Sequence, residues 1–376
     1  MSGGRWAWAE VDLASVGHNV EHLRGVVAPA ELWAIVKADG YGHGAIEVAR
    51  AARAAGAAGL GVALVDEGLA LRQAGLDGPI LLLSQQPVEQ IPAALAAELT
   101  PTVYTAEYAA AWSRLAPTGY PVHVKVDTGM QRVGVADSAA VEFVADLAKV
   151  APNLRVEGIC THLACADEPA HPATAEQVAR FEAVLAGLDH RGLRPPLAHA
   201  ANSGGALACP QAWYSFVRAG IAIYGISPGH GVDDRAGVLR PAMSLKARVS
   251  HVKRVAAGSC VSYGHRHTCA TDTTLATVPI GYADGVPRRL SGADVLIGGR
   301  RCPIVGVVTM DQLVVDVGDA SVQVGDEVVL LGKQGDDRIT AADWADRLGT
   351  IPYEIVCGIS KRVPRVYDVT DPRPSP

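Results

Sequence analysis

From Leu32 to about Gly225, short apolar runs alternate with longer alanine-rich stretches whose apolar positions recur at helical spacing. The runs "WAIVKA", "LGVAL", "ILLLS", "PTVY", "VHVKVD", "VEGICTH", "LAHAANS" and "SFVRAG" read as strands, most of them separated by enough chain for a helix. This α/β alternation predicts an N-terminal (β/α)8 barrel over residues 12–235; a doubly wound open sheet alternates similarly, and the barrel is the preferred reading. After Pro228 the texture changes. Helical periodicity gives way to valine-rich runs broken by glycine and aspartate, which predicts a C-terminal mainly-β domain over residues 236–376. One helix, "TAADWADRLG", interrupts it, with Thr340 placed to cap its start.

Composition narrows the possibilities. No window approaches the ~18 uninterrupted apolar residues of a membrane-spanning helix. A net charge of −6 without a basic cluster argues against nucleic acid or an anionic membrane as partner. The start, "MSGGRWAWAEVDL", lacks the pattern of an export signal, so a cytoplasmic location is expected. The seven cysteines are odd in number, scattered and never spaced C-x-x-C, so reduced core thiols are expected rather than a disulfide framework or a metal site.

In a parallel barrel, chemistry gathers at the carboxyl ends of the strands. Those ends carry Lys37, then Lys125 and Asp127, then His162, then His199, Asn202 and Ser203, then Arg218. Strand alternation puts His123, Lys125 and Asp127 on one side and Val122, Val124 and Val126 on the other. A lysine desolvated at a barrel mouth becomes a nucleophile toward carbonyls and forms a Schiff base. Pyridoxal 5'-phosphate would suit such a site. Ser203, the backbone amides at Gly220 and Ile221, and the Tyr41 hydroxyl are candidates to hold its phosphate. The turn "GYGHG" after Lys37 is not spaced as a P-loop and adds little by itself.

"VKADGYGHG", "KVDTGMQRVG", "THLACAD", "HAANS", "RAGIAIYG", "VSYGH", "GYADG", "MDQ" and "KRVPRVY" occur in this order, and together they resemble the motifs of the alanine racemases almost end to end. The resemblance implies pyridoxal phosphate on the barrel, a β domain that also takes in residues 1–11, and a head-to-tail homodimer whose active site is shared between chains. It implies that Lys37 holds the cofactor and serves as the base on one face of the substrate's α-carbon, and that Tyr263 of the partner chain is the base on the other. It places Arg218 at the cofactor's pyridine nitrogen, with His162 in a network that helps the tyrosine. It gives the substrate carboxylate to Arg132 and the Met310 amide, with Asp311 nearby, and makes Lys125 a possible site of carbamylation. It sets Tyr353 near the phosphate and in the access corridor, with Asp167, Arg288 and Ile351 further out. The activity implied is interconversion of L- and D-alanine, supplying D-alanine for peptidoglycan. The chain departs from the family at "GVVTMDQ", where Val307 stands in place of a corridor arginine; this leaves open a racemase that also accepts serine or larger side chains. A non-catalytic cofactor carrier on the same barrel is disfavoured by the β domain. A two-domain decarboxylase is disfavoured by the lack of a glycine-rich phosphate loop and by Arg218 where a carboxylate is expected.

Overall fold

Residues 5–367 are described by a computed structural model. The parts of the expected β domain at residues 1–4 and 368–376 lie outside the described residues. The described chain divides into two compact units: one runs from Ala14 to Gly40 and from Gly44 to Arg240, and the other holds residues 5–13, Tyr41–His43 and residues 241–367.

The first unit is a barrel of eight parallel strands. Phe216–Ala219, Glu31–Ile35, Gly59–Val62 and Ile80–Leu82 form one arc, and Thr102–Val103, Tyr120–Asp127, Leu154–Cys160 and Leu197–His199 the other. A parallel bridge between Leu81 and Thr100 joins the arcs on one side. On the other, the Ser215 amide donates to the Ala198 carbonyl at 2.9 Å. Closure explains the unbroken apolar runs: helices cover the outer face and side chains fill the inside, so Gly59–Val62, Ile80–Leu82 and Phe216–Ala219 are buried at every position.

The interior filling is partly aromatic. Trp33 stacks on Phe216 at 4.4 Å, and Phe216 on the His199 ring at 4.2 Å. Gly59 and Gly158 make room for these rings. A Cβ at Gly59 would lie 2.5 Å from Trp33, and one at Gly158 2.5 Å from His123.

In the second unit, strand burial alternates, as at Ala7–Val11 and Leu313–Gly318, because an antiparallel sheet buries one face. Ala7–Val11 pairs antiparallel with Met243–Arg248 and parallel with Arg365–Tyr367. The helix Ala341–Leu348 starts at Thr340, whose hydroxyl accepts from the Asp343 amide at 3.1 Å. The fully buried Asp284 ties this unit together: Arg5 pairs with it at 2.5 Å and Arg362 at 3.3 Å, and Arg362 also holds Asp311 at 2.7 Å. Three separate stretches, "GYADG", "MDQ" and "KRVPRVY", thus meet in one ionic cluster. Among the described residues no helix is long and apolar enough to cross a membrane.

Candidate active site

Lys37 stands two residues past its strand, at the start of a left-handed turn. Ala38, Asp39, Gly40 and Tyr41 all have φ between 51° and 61°. Left-handed backbone is costly for residues with a Cβ, so something must hold it. One carboxylate does much of this: Glu67, on the next barrel helix, accepts from the Ala38 amide at 2.6 Å and from the Ala63 and Leu64 amides at 2.8 and 3.1 Å. At the far end Asp39 accepts from the Ala45 amide at 3.0 Å, starting the helix Ala45–Ala54.

Arg218 is buried at the end of the last barrel strand, and each of its hydrogen bonds runs to an acceptor. It donates to the carbonyls of Thr161 and Ala200, each at 2.9 Å, to His162 Nδ1 at 3.0 Å and to His199 Nδ1 at 2.5 Å. A guanidinium can only donate, so both Nδ1 atoms are unprotonated and each neutral ring carries its proton on Nε2. His199 Nε2 then donates to His123 Nδ1 at 2.9 Å, which leaves the His123 proton on Nε2, 3.9 Å from Glu157 and without a hydrogen bond. All these bonds therefore run outward from Arg218.

Electrostatics keeps the rings neutral. Burial, followed by the Arg218 charge, lowers His123 to about 3 and pushes His162 and His199 well below the usual imidazole range. An unfolded chain would protonate these rings near ~6.5, whereas the fold resists, so stability is full above that pH and lost below it by about 1.4 kcal/mol per pH unit per ring. Thermal unfolding followed from pH 7.5 to 5 should show this steep decline, approaching about 4 kcal/mol per pH unit for three rings. A flat profile would mean that the rings take up protons without unfolding.

Lys125 is buried beside this cluster; burial lowers it to about 8 against the opposing effect of Cys160. Burial acts to raise the Asp127 carboxyl, but the amides of Gly129, Gln131, Arg132 and Met130 outweigh it and hold it below its usual range. The turn so formed brings Arg132 to the same depression as Lys125 and His162. Nearby, Ser203 Oγ accepts from the amides of Gly220 and Ala222 at 2.9 and 3.3 Å, so its own hydrogen remains available to an anion. Asn202 caps the short helix that begins at Ser203, accepting from the Gly205 amide at 3.0 Å, and Ile221 is fully buried. Asp167 is half-buried, its carboxylate against Gly229.

The remaining candidates lie on the β unit. The rings of Tyr41 and Tyr353 are 6.1 Å apart. Tyr263 is 74% exposed, Met310 53% and Ile351 56%, and Arg288 is also exposed. Two expectations change. Val307 does not line open space: its side chain is only 7% exposed. Cys260 and Cys357 are exposed rather than in the core. Sequence reasoning did not single out Thr161, Ala222 or Glu67. The strand-end positions of His162, His199 and Arg218, and the period-2 pattern that placed His123 with Lys125, were the signals in the sequence that pointed toward the imidazole chain.

A closed parallel barrel with lysines, a buried arginine and neutral imidazoles at its strand ends, followed by an antiparallel β unit, defines a two-domain barrel enzyme. Residues 11–228 match the family model described as "Alanine racemase, N-terminal domain", and residues 242–367 that described as "Alanine racemase, C-terminal domain". The chain belongs to the alanine racemase family. It is 48% identical to an alanine racemase of Symbiobacterium thermophilum, over 98% of both chains. The crystal structure of alanine racemase from Bacillus anthracis with bound L-Ala-P superposes with a TM-score of 0.92 at 39% identity, covering 98% of this chain and 96% of that one. Alanine racemase from Streptomyces coelicolor A3(2) gives 0.92 at 44% identity, with 96% and 98% covered.

Proposed function

We propose that this enzyme interconverts L- and D-alanine, using pyridoxal 5'-phosphate, in the cytoplasm, as a homodimer whose active sites are shared between chains. The observation that carries the reading is Arg218: a buried guanidinium that donates to two imidazoles and two carbonyls has no lone pair with which to take a proton, which suits an unprotonated pyridine nitrogen. The site fits the cofactor in a second respect, the hydrogen that Ser203 keeps free beside the Gly220 and Ala222 amides. Ser203, Gly220 and Ile221, with the hydroxyls of Tyr41 and Tyr353, would hold the phosphate, and Asn202 would keep the Ser203 turn in place. When bound, the cofactor supplies an electron sink for the negative charge left at the substrate's α-carbon.

Lys37 would hold the cofactor covalently and exchange a proton with one face of the α-carbon. Tyr263 of the partner would exchange a proton with the opposite face, which is what inversion requires. His162 Nε2 keeps its hydrogen because Nδ1 is taken by Arg218, so this ring is a donor that can stabilise the tyrosine's phenolate oxygen. Arg132 and the Met310 amide would bind the substrate carboxylate, Asp311 being held by Arg362. A Lys125 amine lowered by burial is partly neutral near pH 8. It can therefore add to carbon dioxide, release a proton and become a carbamate anion beside Arg132. Asp167, Arg288 and Ile351 would flank the access corridor. The exposed apolar side chains of Tyr263, Met310 and Ile351 support a covering partner chain. With Val307 buried, the case for a broader substrate range loses its motive, and D-alanine for peptidoglycan is the product favoured.

The test is to load the protein with pyridoxal phosphate, offer L-alanine, L-serine and L-lysine, and follow optical rotation and carbon dioxide. Alanine should racemise fastest without gas, and borohydride should fix the chromophore to Lys37. Gas evolution would point to a decarboxylase, and silence on both channels to a carrier.

A further inference from the structure

Ser262, the residue before Tyr263, has φ 64° and ψ −173°. This is not the left-handed helical region that asparagine or aspartate visits; it is a region essentially reserved for glycine, and other residues persist there only when their surroundings impose it. The imposing contacts are visible. Ser262 Oγ donates to the Val307 carbonyl at 2.7 Å. Gly306 opens the space in which the serine sits: a Cβ there would approach Ser262 Cβ to 2.7 Å and the Val261 carbonyl to 2.8 Å. On the near side, the strands Cys260–Val261 and His267–Thr268 pair Val261 with His267, over a small core of Val261, Cys269, Leu275 and Val305.

Beyond that pairing, the half-buried Ser262 leads into an exposed tip, residues 263–266, and Ser262, Gly264 and His265 all have positive φ. Apolar packing within its own chain does not hold Tyr263 there, since it is 74% exposed. Its direction is set by the backbone, and the backbone is set at Ser262. Relaxation of Ser262 to ordinary extended geometry would rotate φ by roughly half a turn and carry the phenol away from its present line.

We propose that Ser262 is a positioning residue for Tyr263: its hydroxyl, anchored on the Val307 carbonyl, holds the chain in a glycine-only conformation so that the phenol is aimed before substrate arrives. This rests on the reading of Tyr263 as one of the two bases. It also gives the buried Val307 a place, through its main chain rather than its side chain.

The two enantiomers are equal in energy, so kcat/KM must be the same in both directions for any variant, and directional rates cannot separate the bases. Primary isotope effects can. Ser262→Ala, which keeps the strain and loses the anchor, should lower kcat by about a hundredfold. With α-deuterated alanine, its isotope effect should rise for the enantiomer whose proton goes to Tyr263 and fall toward unity for the other. Ser262→Gly accepts the φ angle without strain and should lose only about tenfold. Amide exchange across residues 262–266 of the loaded enzyme should quicken in the alanine variant. Tyr263→Phe is the reference: it should abolish racemisation while leaving α-proton exchange with the enantiomer served by Lys37. If Tyr263→Phe still racemises, the base assignment falls and the inference with it. If Tyr263→Phe is dead but Ser262→Ala matches wild type, or loses activity with the two isotope effects unchanged relative to each other, the positioning role alone is overturned.

Discussion

Replacing Arg218 with glutamate is expected to lower racemisation by about a hundred- to a thousandfold and to raise the share of turnovers that end in abortive amino transfer. Arg218 presents donors to two imidazoles and two carbonyls, all of them acceptors. A carboxylate in their midst would leave those acceptors facing another acceptor unless a proton moved in. The nearest sources are His162 and His199. Their values are lowered first by burial and then by the arginine charge; removing that charge and substituting a negative one reverses the second cause. At least one imidazole should therefore gain a proton, observable by nitrogen chemical shift. A carboxylic acid or carboxylate facing the pyridine nitrogen would also keep that nitrogen protonated, strengthening the sink and favouring protonation away from the α-carbon. Arg218→Lys is the control, since it retains the charge while losing the forked geometry. If the ratio of amino transfer to racemisation is the same in Arg218→Glu as in wild type, Arg218 does not restrain the cofactor.

Lys37→Ala and Tyr263→Ala proteins should each be nearly inactive, and a mixture of the two should not be. If Tyr263 serves the partner's barrel, every homodimeric site lacks one base. In a two-fold mixed dimer, one site inherits both lesions and the other neither. Random exchange makes roughly half of the dimers mixed, each with one good site in two, so activity should recover to about a quarter of wild type. The structure adds a reason to expect clean results. Tyr263 is at an exposed tip with little of its own chain to support, and Lys37 points from a turn held by main-chain and Glu67 contacts, so neither truncation should unfold the protein. Subunit exchange verified by mass, with activity still at the level of the parents, would place both bases on the same chain.

Local sequence was enough for some of this. The alternation of apolar runs with helical stretches specified eight strands because most parallel barrel strands are buried on both faces and read as short apolar segments. Thr340 announced its helix because a cap is a contact between residues three apart. Lys37 and Arg218 were legible as strand-end charges, since a barrel gathers its strand ends by topology alone. What only the tertiary structure decided are the states of those residues, which depend on groups far away in sequence. His123, His162 and His199 look like ordinary histidines until Arg218, buried among them, dictates which nitrogen carries each proton. The left-handed turn after Lys37 depends on Glu67, a helix away, and the backbone of Ser262 on the carbonyl of Val307, 45 residues on. Val307 itself, read from sequence as a wall of the corridor, is buried. Periodicity reports which face of an element meets the core, but burial, tautomer and strain are set by the partners that folding brings to each atom.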